Sequence, residues 1–348
     1  MKRKGRGAVT NPTGRFERYS YVPIEERDRI ETVVTPDSTR SILARNDSPD
    51  VPFDVSINPY RGCEHGCIYC FARPTHAYLG LSPGLDFETR IFSKPKAAEL
   101  LREELAKTRY ACQTIAIGSN TDPYQPVERD LGITRSILEV LSEHEHPVSI
   151  VTKSQLVLRD RDILAPMATK NLASVFVSIT TLDPELARKM EPRASTPEKR
   201  LETLRGLSEE GIPCGVLASP MIPALNDWEL ERILKEASLA GAETAGYVLL
   251  RLPLELKDLF SEWLQTHYPT KAKHVEALVR ETRGGALYQS EFGTRMRGTG
   301  AYAELLEKRF RAARSKYGLD RPRPPLDTSR FRRPPRPGRS GDQIRLFD

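Results

Sequence analysis

The run Cys63-Glu-His-Gly-Cys67-Ile-Tyr-Cys70 places three thiols within eight residues, at a C-x3-C-x2-C spacing. Three thiolates so placed can hold three irons of a [4Fe–4S] cluster and leave the fourth without a protein ligand. An open iron is a position where a small molecule can bind and receive an electron. A tetrahedral zinc site is the rival, with His65 or His76 completing a Cys3His set. Zinc modules usually pair two short knuckles across a spacer, whereas this chain has one cysteine cluster. A disulfide would leave one of the three over, and the N-terminus (Met1-Lys-Arg-Lys) shows no secretory leader. Cys112 and Cys214 stand in apolar, strand-like surroundings and read as small packed hydrophobes.

Such a loop needs a scaffold. A chain of 348 residues, 39% hydrophobic and 29% charged, can bury a full core. No apolar run approaches a membrane span, so a cytoplasmic protein is expected. Strand patterns fall at Val55–Asn58, Thr114–Gly118, Val148–Thr152, Ser174–Thr180, Cys214–Ser219 and Gly246–Arg251. Helical periodicity fills the gaps at Lys96–Lys107, Thr134–Glu143, Arg161–Ala168, Pro197–Glu210 and Asp227–Ala240. Six such alternations argue for a parallel α/β sheet with right-handed crossovers, a partial (β/α)6 barrel of the TIM type. Chemistry in such barrels collects where the strands end, and the cysteine run follows the first strand. The expected divisions are an N-terminal extension (1–52), the barrel (53–253), a helical flank (254–318) and a proline- and arginine-rich tail (319–348) that cannot continue a helix and is expected to be disordered.

The cysteine spacing, with Tyr69 before the last cysteine, resembles the signature of the radical S-adenosylmethionine (AdoMet, SAM) superfamily. The resemblance implies the same partial barrel, a [4Fe–4S] cluster, AdoMet chelated at the open iron, an external one-electron donor, and reductive cleavage to a 5′-deoxyadenosyl radical. Over roughly residues 55–250 the chain is similar to the spore photoproduct lyase branch, often labelled DNA repair photolyase-like. The Thr121-Asp122 pair after the second strand and Thr152-Lys153-Ser154 after the third appear in that branch's order. The likeness implies that Lys153, Thr121 and Ser178 hold the methionine carboxylate and that Tyr69 packs near the adenine. A cation and hydroxyl donors suit a carboxylate. Asp122, Glu128, Glu191 and Arg193 are further candidates, equally suited to rim salt bridges. One departure bears on the reaction. Spore photoproduct lyase keeps a cysteine after its second strand as hydrogen donor, and the matching residue here is Ser119. A serine O–H bond is too strong for that task.

The net charge of +6 is unevenly spread. Residues 1–15 carry five Lys/Arg and no acid, and residues 309–340 carry eleven Lys/Arg against Asp320 and Asp327, so the body between is acidic. Basic arms flanking an acidic body suit a polyanion, and DNA is the expected partner. The chain ends with Gln343-Ile344-Arg345-Leu346-Phe347, which resembles the pentapeptide that binds the bacterial sliding clamp. Its Gln343, Ile344, Leu346 and Phe347 would be the anchors. The leading expectation is a lyase-like radical SAM enzyme acting on DNA. The alternatives are radical modification of protein or RNA, and a non-catalytic metal-stabilised adaptor between DNA and the clamp.

Overall fold

Parallel strands covered on both faces are mainly apolar, and this chain supplies six such segments. The computed structural model describes residues 5–17 and 31–335. The N-terminal extension contributes β1 (Val33–Pro36) and β2 (Leu43–Arg45). Around the cysteine loop lie β3 (Val55–Ile57), β4 (Tyr60–Arg61) and β5 (Arg90–Ser93). Then come β6 (Ile115–Ile117), β7 (Val148–Thr152), β8 (Ala173–Ser178), β9 (Cys214–Met221) and β10 (Thr244–Leu249). The main sheet runs β10-β9-β8-β7-β6-β3-β2. Its strands from β3 to β10 pair in parallel, and β2 lies antiparallel along β3. This is the partial (β/α)6 barrel that the alternating pattern predicts. A small second sheet, β1-β5-β4, stands beside the cysteine loop.

Helices cover the outer face because their apolar stripes have nowhere else to go. Ile137, Leu138 and Leu141 of Ile133–Glu143 are fully buried, as are Ile233, Leu234 and Ala237 of Leu230–Leu239. Caps fix where these helices begin. Asp183 accepts the Glu185 and Leu186 N–H groups ahead of Pro184–Met190, and Thr196 accepts that of Lys199 ahead of Pro197–Glu209. The sequence assigned 254–318 to a flank, but its last helix, Ala301–Lys316, packs on Leu230–Leu239 and β10, with the Phe310 and Tyr247 rings 4.7 Å apart. The other two, Leu256–His267 and Pro269–Glu281, back the cysteine loop: Leu259, Phe260, Trp263 and Leu264 share a buried cluster with Cys67, Ile68 and Tyr69.

Residues 319–335 correct the expectation of disorder. They form a strap across the ends where the strands begin, opposite the mouth. Asp320 pairs with Thr244, and Arg323 forms an ion pair with Glu243. The Asn171 amide donates to Pro325 O at 2.8 Å and receives the Asp327 N–H on its backbone carbonyl at 2.9 Å. Phe331 packs edge-on against Tyr110 and His146, at 5.5 and 5.3 Å. Proline removes donors but leaves carbonyls, so an extended proline-rich segment is held where the body supplies the N–H groups. Residues Gln343, Ile344, Leu346 and Phe347 lie outside the described residues. Among those described, no helix is long and apolar enough to cross a membrane.

Two buried histidines set an acid limit on this fold. Burial holds His76 and His146 at about 4, each with a ring nitrogen beside a neutral oxygen: Arg90 O at 2.9 Å and the Tyr110 hydroxyl at 2.7 Å. The unfolded chain takes up these protons from about pH 6.5 downward. The unfolded state therefore binds more protons between about pH 6.5 and 4, and stability is full above that window and falls through it. The urea midpoint is expected to be lower at pH 5 than at pH 7.5; an unchanged midpoint would contradict the assignment.

Candidate active site

The loop carrying the three cysteines has no sheet ladder, so its carbonyls need other partners. Arg73, at the start of the 3-10 helix Arg73–Leu79, supplies them. Its Nε donates to Cys67 O at 2.8 Å, one Nη to Gly66 O at 3.0 Å and Glu88 Oε1 at 2.5 Å, and the other to Pro83 O and Gly84 O. Glu88 also accepts the Gly7 and Ala8 N–H groups at 3.0 and 2.8 Å, which fastens the N-terminal extension to the loop. Both members of the ion pair are fully buried. Gly7 is required by this approach: a Cβ there would come within 1.8 Å of Gly66 O.

Cys63 and Cys67 are buried, Cys70 is half-buried, and none forms a disulfide. All three line one cavity of about 300 Å³ at the strand ends, with Lys153 and Ser178 on its wall. Burial pushes all three thiols up, so losing their protons calls for a cation among them. Among the described residues no three Cys, His, Asp or Glu side chains converge on a single metal-ion position. Three thiols that each bind a different iron must stand apart, so the donor set fits a [4Fe–4S] cluster better than one zinc. His76 does not line the cavity that the three cysteines share.

Lys153, at the end of β7, donates from Nζ to Ser178 Oγ at 2.5 Å. Burial lowers its pKa; its ammonium bonds a hydroxyl and stands 5.8 Å from the centroid of the Tyr69 ring. Asp122 fixes this strand end. It accepts the Lys153 N–H at 2.7 Å and the Thr152 hydroxyl at 2.7 Å, and lies 3.3 Å from His65 Nδ1. Burial acts to raise the Asp122 pKa, but His65 and these donors outweigh it and hold the group at about 2. Gly118 lets the loop turn against β7, at φ +89°, where a Cβ would meet Val151 O at 2.1 Å.

Tyr69 and Thr121 line the same cavity but spend their hydroxyls on the protein. The Tyr69 hydroxyl bonds Glu191 and lies 3.1 Å from Thr180 Oγ1, and Glu191 is paired in turn with buried Arg200. Thr121 donates to Tyr60 O at 2.9 Å. Glu128 pairs with Arg159, and Arg193 with Glu64 of the cysteine loop itself; none of the four lines the cavity. Ser119 lines the cavity, with the Asn58 amide 3.4 Å away.

Sequence reading passed over Arg73 and Glu88, and also over Phe71, Arg251 and Met296 on the cavity wall. Two signals were present: Phe71 directly follows Cys70, and Arg251 lies just beyond the sixth strand.

A model of the radical SAM superfamily matches residues 57–237 of this chain. The chain belongs to the radical SAM superfamily. It is a radical SAM enzyme, and the family's cofactors are a [4Fe–4S] cluster and AdoMet, which sets aside the zinc site and the non-catalytic adaptor. An uncharacterized protein of Mycobacterium tuberculosis is 36% identical over 280 residues, covering 79% of this chain and 78% of its own length. One of Methanocaldococcus jannaschii is 31% identical over 215 residues, covering 61% and 76%. Among solved structures, spore photoproduct lyase complexed with dinucleoside spore photoproduct matches with a TM-score of 0.59 at 16% identity, covering 82% of this chain and 79% of that one. The radical SAM enzyme described here shares that fold.

Arg73 gives a direct test of how the loop is held. Arg73→Ala leaves Glu88 buried without its ion-pair partner, and is expected to cost about 3–5 kcal/mol in urea unfolding. Arg73→Lys keeps the charge but loses the planar fork. It is expected to fold and to retain less iron and sulfide after reconstitution. Iron content equal to wild type in Arg73→Lys would show that the fork is dispensable.

Proposed function

We propose that this radical SAM enzyme acts on DNA, with Cys63, Cys67 and Cys70 holding the cluster and Lys153 with Ser178 seating the AdoMet carboxylate. The observation that carries the reading is the cavity shared by three unpaired thiols and a half-buried lysine whose ammonium donates to a hydroxyl. The reduced cluster with AdoMet bound supplies a carbon radical able to abstract hydrogen. The chain's own residues do the positioning. Lys153 and Ser178 offer a cation and a hydroxyl to a carboxylate, Asp122 fixes the strand end that carries Lys153, and Tyr69 is locked by Glu191 so that its ring forms a fixed wall.

DNA is favoured by the basic termini and by the shared fold with an enzyme solved with a dinucleoside lesion. With Ser119 in place of a thiol donor, the reaction is a repair or modification step other than spore photoproduct reversal. An oxygen-sensitive cluster suits the cytoplasm, and an external one-electron donor completes the system.

The test is anaerobic reconstitution with iron and sulfide, then dithionite, AdoMet and an assay of 5′-deoxyadenosine. Wild type is expected to form it and Cys67→Ala to fall to background. Lys153→Met is expected to weaken AdoMet binding about 10- to 100-fold, the loss of one charge-assisted hydrogen bond. A Cys67→Ala protein with wild-type yield would overturn the cluster assignment. Damaged DNA that leaves the yield unchanged, where RNA or a peptide raises it, would overturn the substrate.

A further inference from the structure

Arg251 stands just past β10 on the wall of the cysteine cavity, and its charge faces no acid at ion-pair distance among the described residues. Its Nε is buried without a hydrogen-bond partner. One Nη reaches Met296 Sδ at 3.5 Å, a weak acceptor, and the guanidinium sits 5.2 Å from the centroid of the Phe71 ring. Asp50, the acid on which the Arg251 charge acts, is already committed to Arg295 and the Gly293 N–H. A buried donor left open costs stability unless a ligand fills it. Phe71 is 43% exposed and directly follows Cys70, so a group stacked on it lies one residue from the cysteine set. Val51, Phe53 and Met296 add apolar surface around the same opening.

The cavity thus holds two cations with different hydrogen-bond partners. Lys153, just past β7, donates to the Ser178 hydroxyl and lies 5.8 Å from the centroid of the Tyr69 ring, which Glu191 locks. Arg251 has a thioether and the exposed Phe71 ring beside it and stands three strands away in the sheet order, roughly 14 Å along a sheet at the usual strand spacing. A planar guanidinium offers two parallel donors to a phosphate, and an exposed aromatic face offers a stacking platform that tolerates any base.

We propose that Arg251 and Phe71 form the nucleotide subsite of this enzyme, the Arg251 fork holding a backbone phosphate and the Phe71 face stacking the base of an extruded nucleotide. The assignment rests on the nucleic-acid reading above. It adds which residues meet the strand, and that recognition is through charge and stacking.

The test uses the full chain, reconstituted anaerobically, and two small probes: thymidylyl-thymidine and the same dinucleoside with an uncharged methylphosphonate link. The two probes differ only in the charge of that link, so the calorimetric preference between them reports the group that meets the phosphate. Wild type is expected to prefer the charged probe by about 10-fold or more, the usual size of an arginine–phosphate contact. Arg251→Gln is expected to bind both probes alike, and Phe71→Ala to weaken both by about 5- to 100-fold with the preference kept. Should Arg251→Gln lose iron or melt early, Arg251→Lys carries the test, with the preference expected to shrink. A preference that survives both substitutions overturns the subsite and leaves the nucleic-acid reading intact. Wild type binding neither probe overturns the reading itself. An acidic dipeptide that displaces the charged probe from wild type but not from Arg251→Gln would assign the fork to a carboxylate and overturn the proposal.

Discussion

A loop that must present three thiols cannot also make the hydrogen bonds of a strand or a helix, and the buried Arg73–Glu88 pair resolves that conflict. The guanidinium collects the loop's outward carbonyls, and the carboxylate collects two N–H groups from the far end of the chain. Each partner is satisfied by backbone as well as by the other charge, which is the condition under which a buried pair is tolerable. The helices Leu256–His267 and Pro269–Glu281 then need only pack beneath the loop, which they do through Trp263 and its apolar neighbours. Polar satisfaction and apolar backing come from sequence positions nearly two hundred residues apart.

The wall facing the thiols follows a similar logic. Glu191, Arg200, Thr180 and Tyr69 form a closed set in which each buried polar group has a partner. Such a set is rigid because any member that turns away strands the others. Lys153 and Arg251 are different. Each faces the cavity with partners too weak to neutralise it, a hydroxyl and the Tyr69 ring in one case and a thioether and the Phe71 ring in the other. The contrast separates the groups that build the site from those with capacity to spare for a ligand.

Much of this was legible in the sequence, and the residues show why. The six parallel strands were read to within about two residues because a short, mainly apolar run between amphipathic stretches marks each, as in Ile115–Ile117, buried throughout. Lys153 and Ser178 were legible because strand ends in this architecture point to the mouth. β1 and β4 were not, since four exposed residues and a pair carry no usable periodicity. Arg73 and Glu88 look like any surface charges until the chain folds around them. Thr121 shows the limit of matching by position: it sits where the motif puts it, yet its hydroxyl is donated to Tyr60 O. The strap at 319–335 was misread because proline content excludes a helix without excluding an ordered extended segment.

The open sheet has two edges, β10 and β2, and among the described residues a few separate hydrogen bonds rather than a strand ladder tie them together. Leu249 at the end of β10 bonds Met296 O, and the neighbouring Arg295 grips Asp50 and Ser48 in the connection between β2 and β3. A backbone ladder across that seam would have to break as a unit, several hydrogen bonds at once. Here the closure converges on one carboxylate, Asp50, which takes the Arg295 side chain and the Gly293 N–H together. The hoop around the cavity is therefore continuous through its sheet and fastened at a single acid, so the fit of the two edges depends on Asp50 as a ladder would depend on a whole strand.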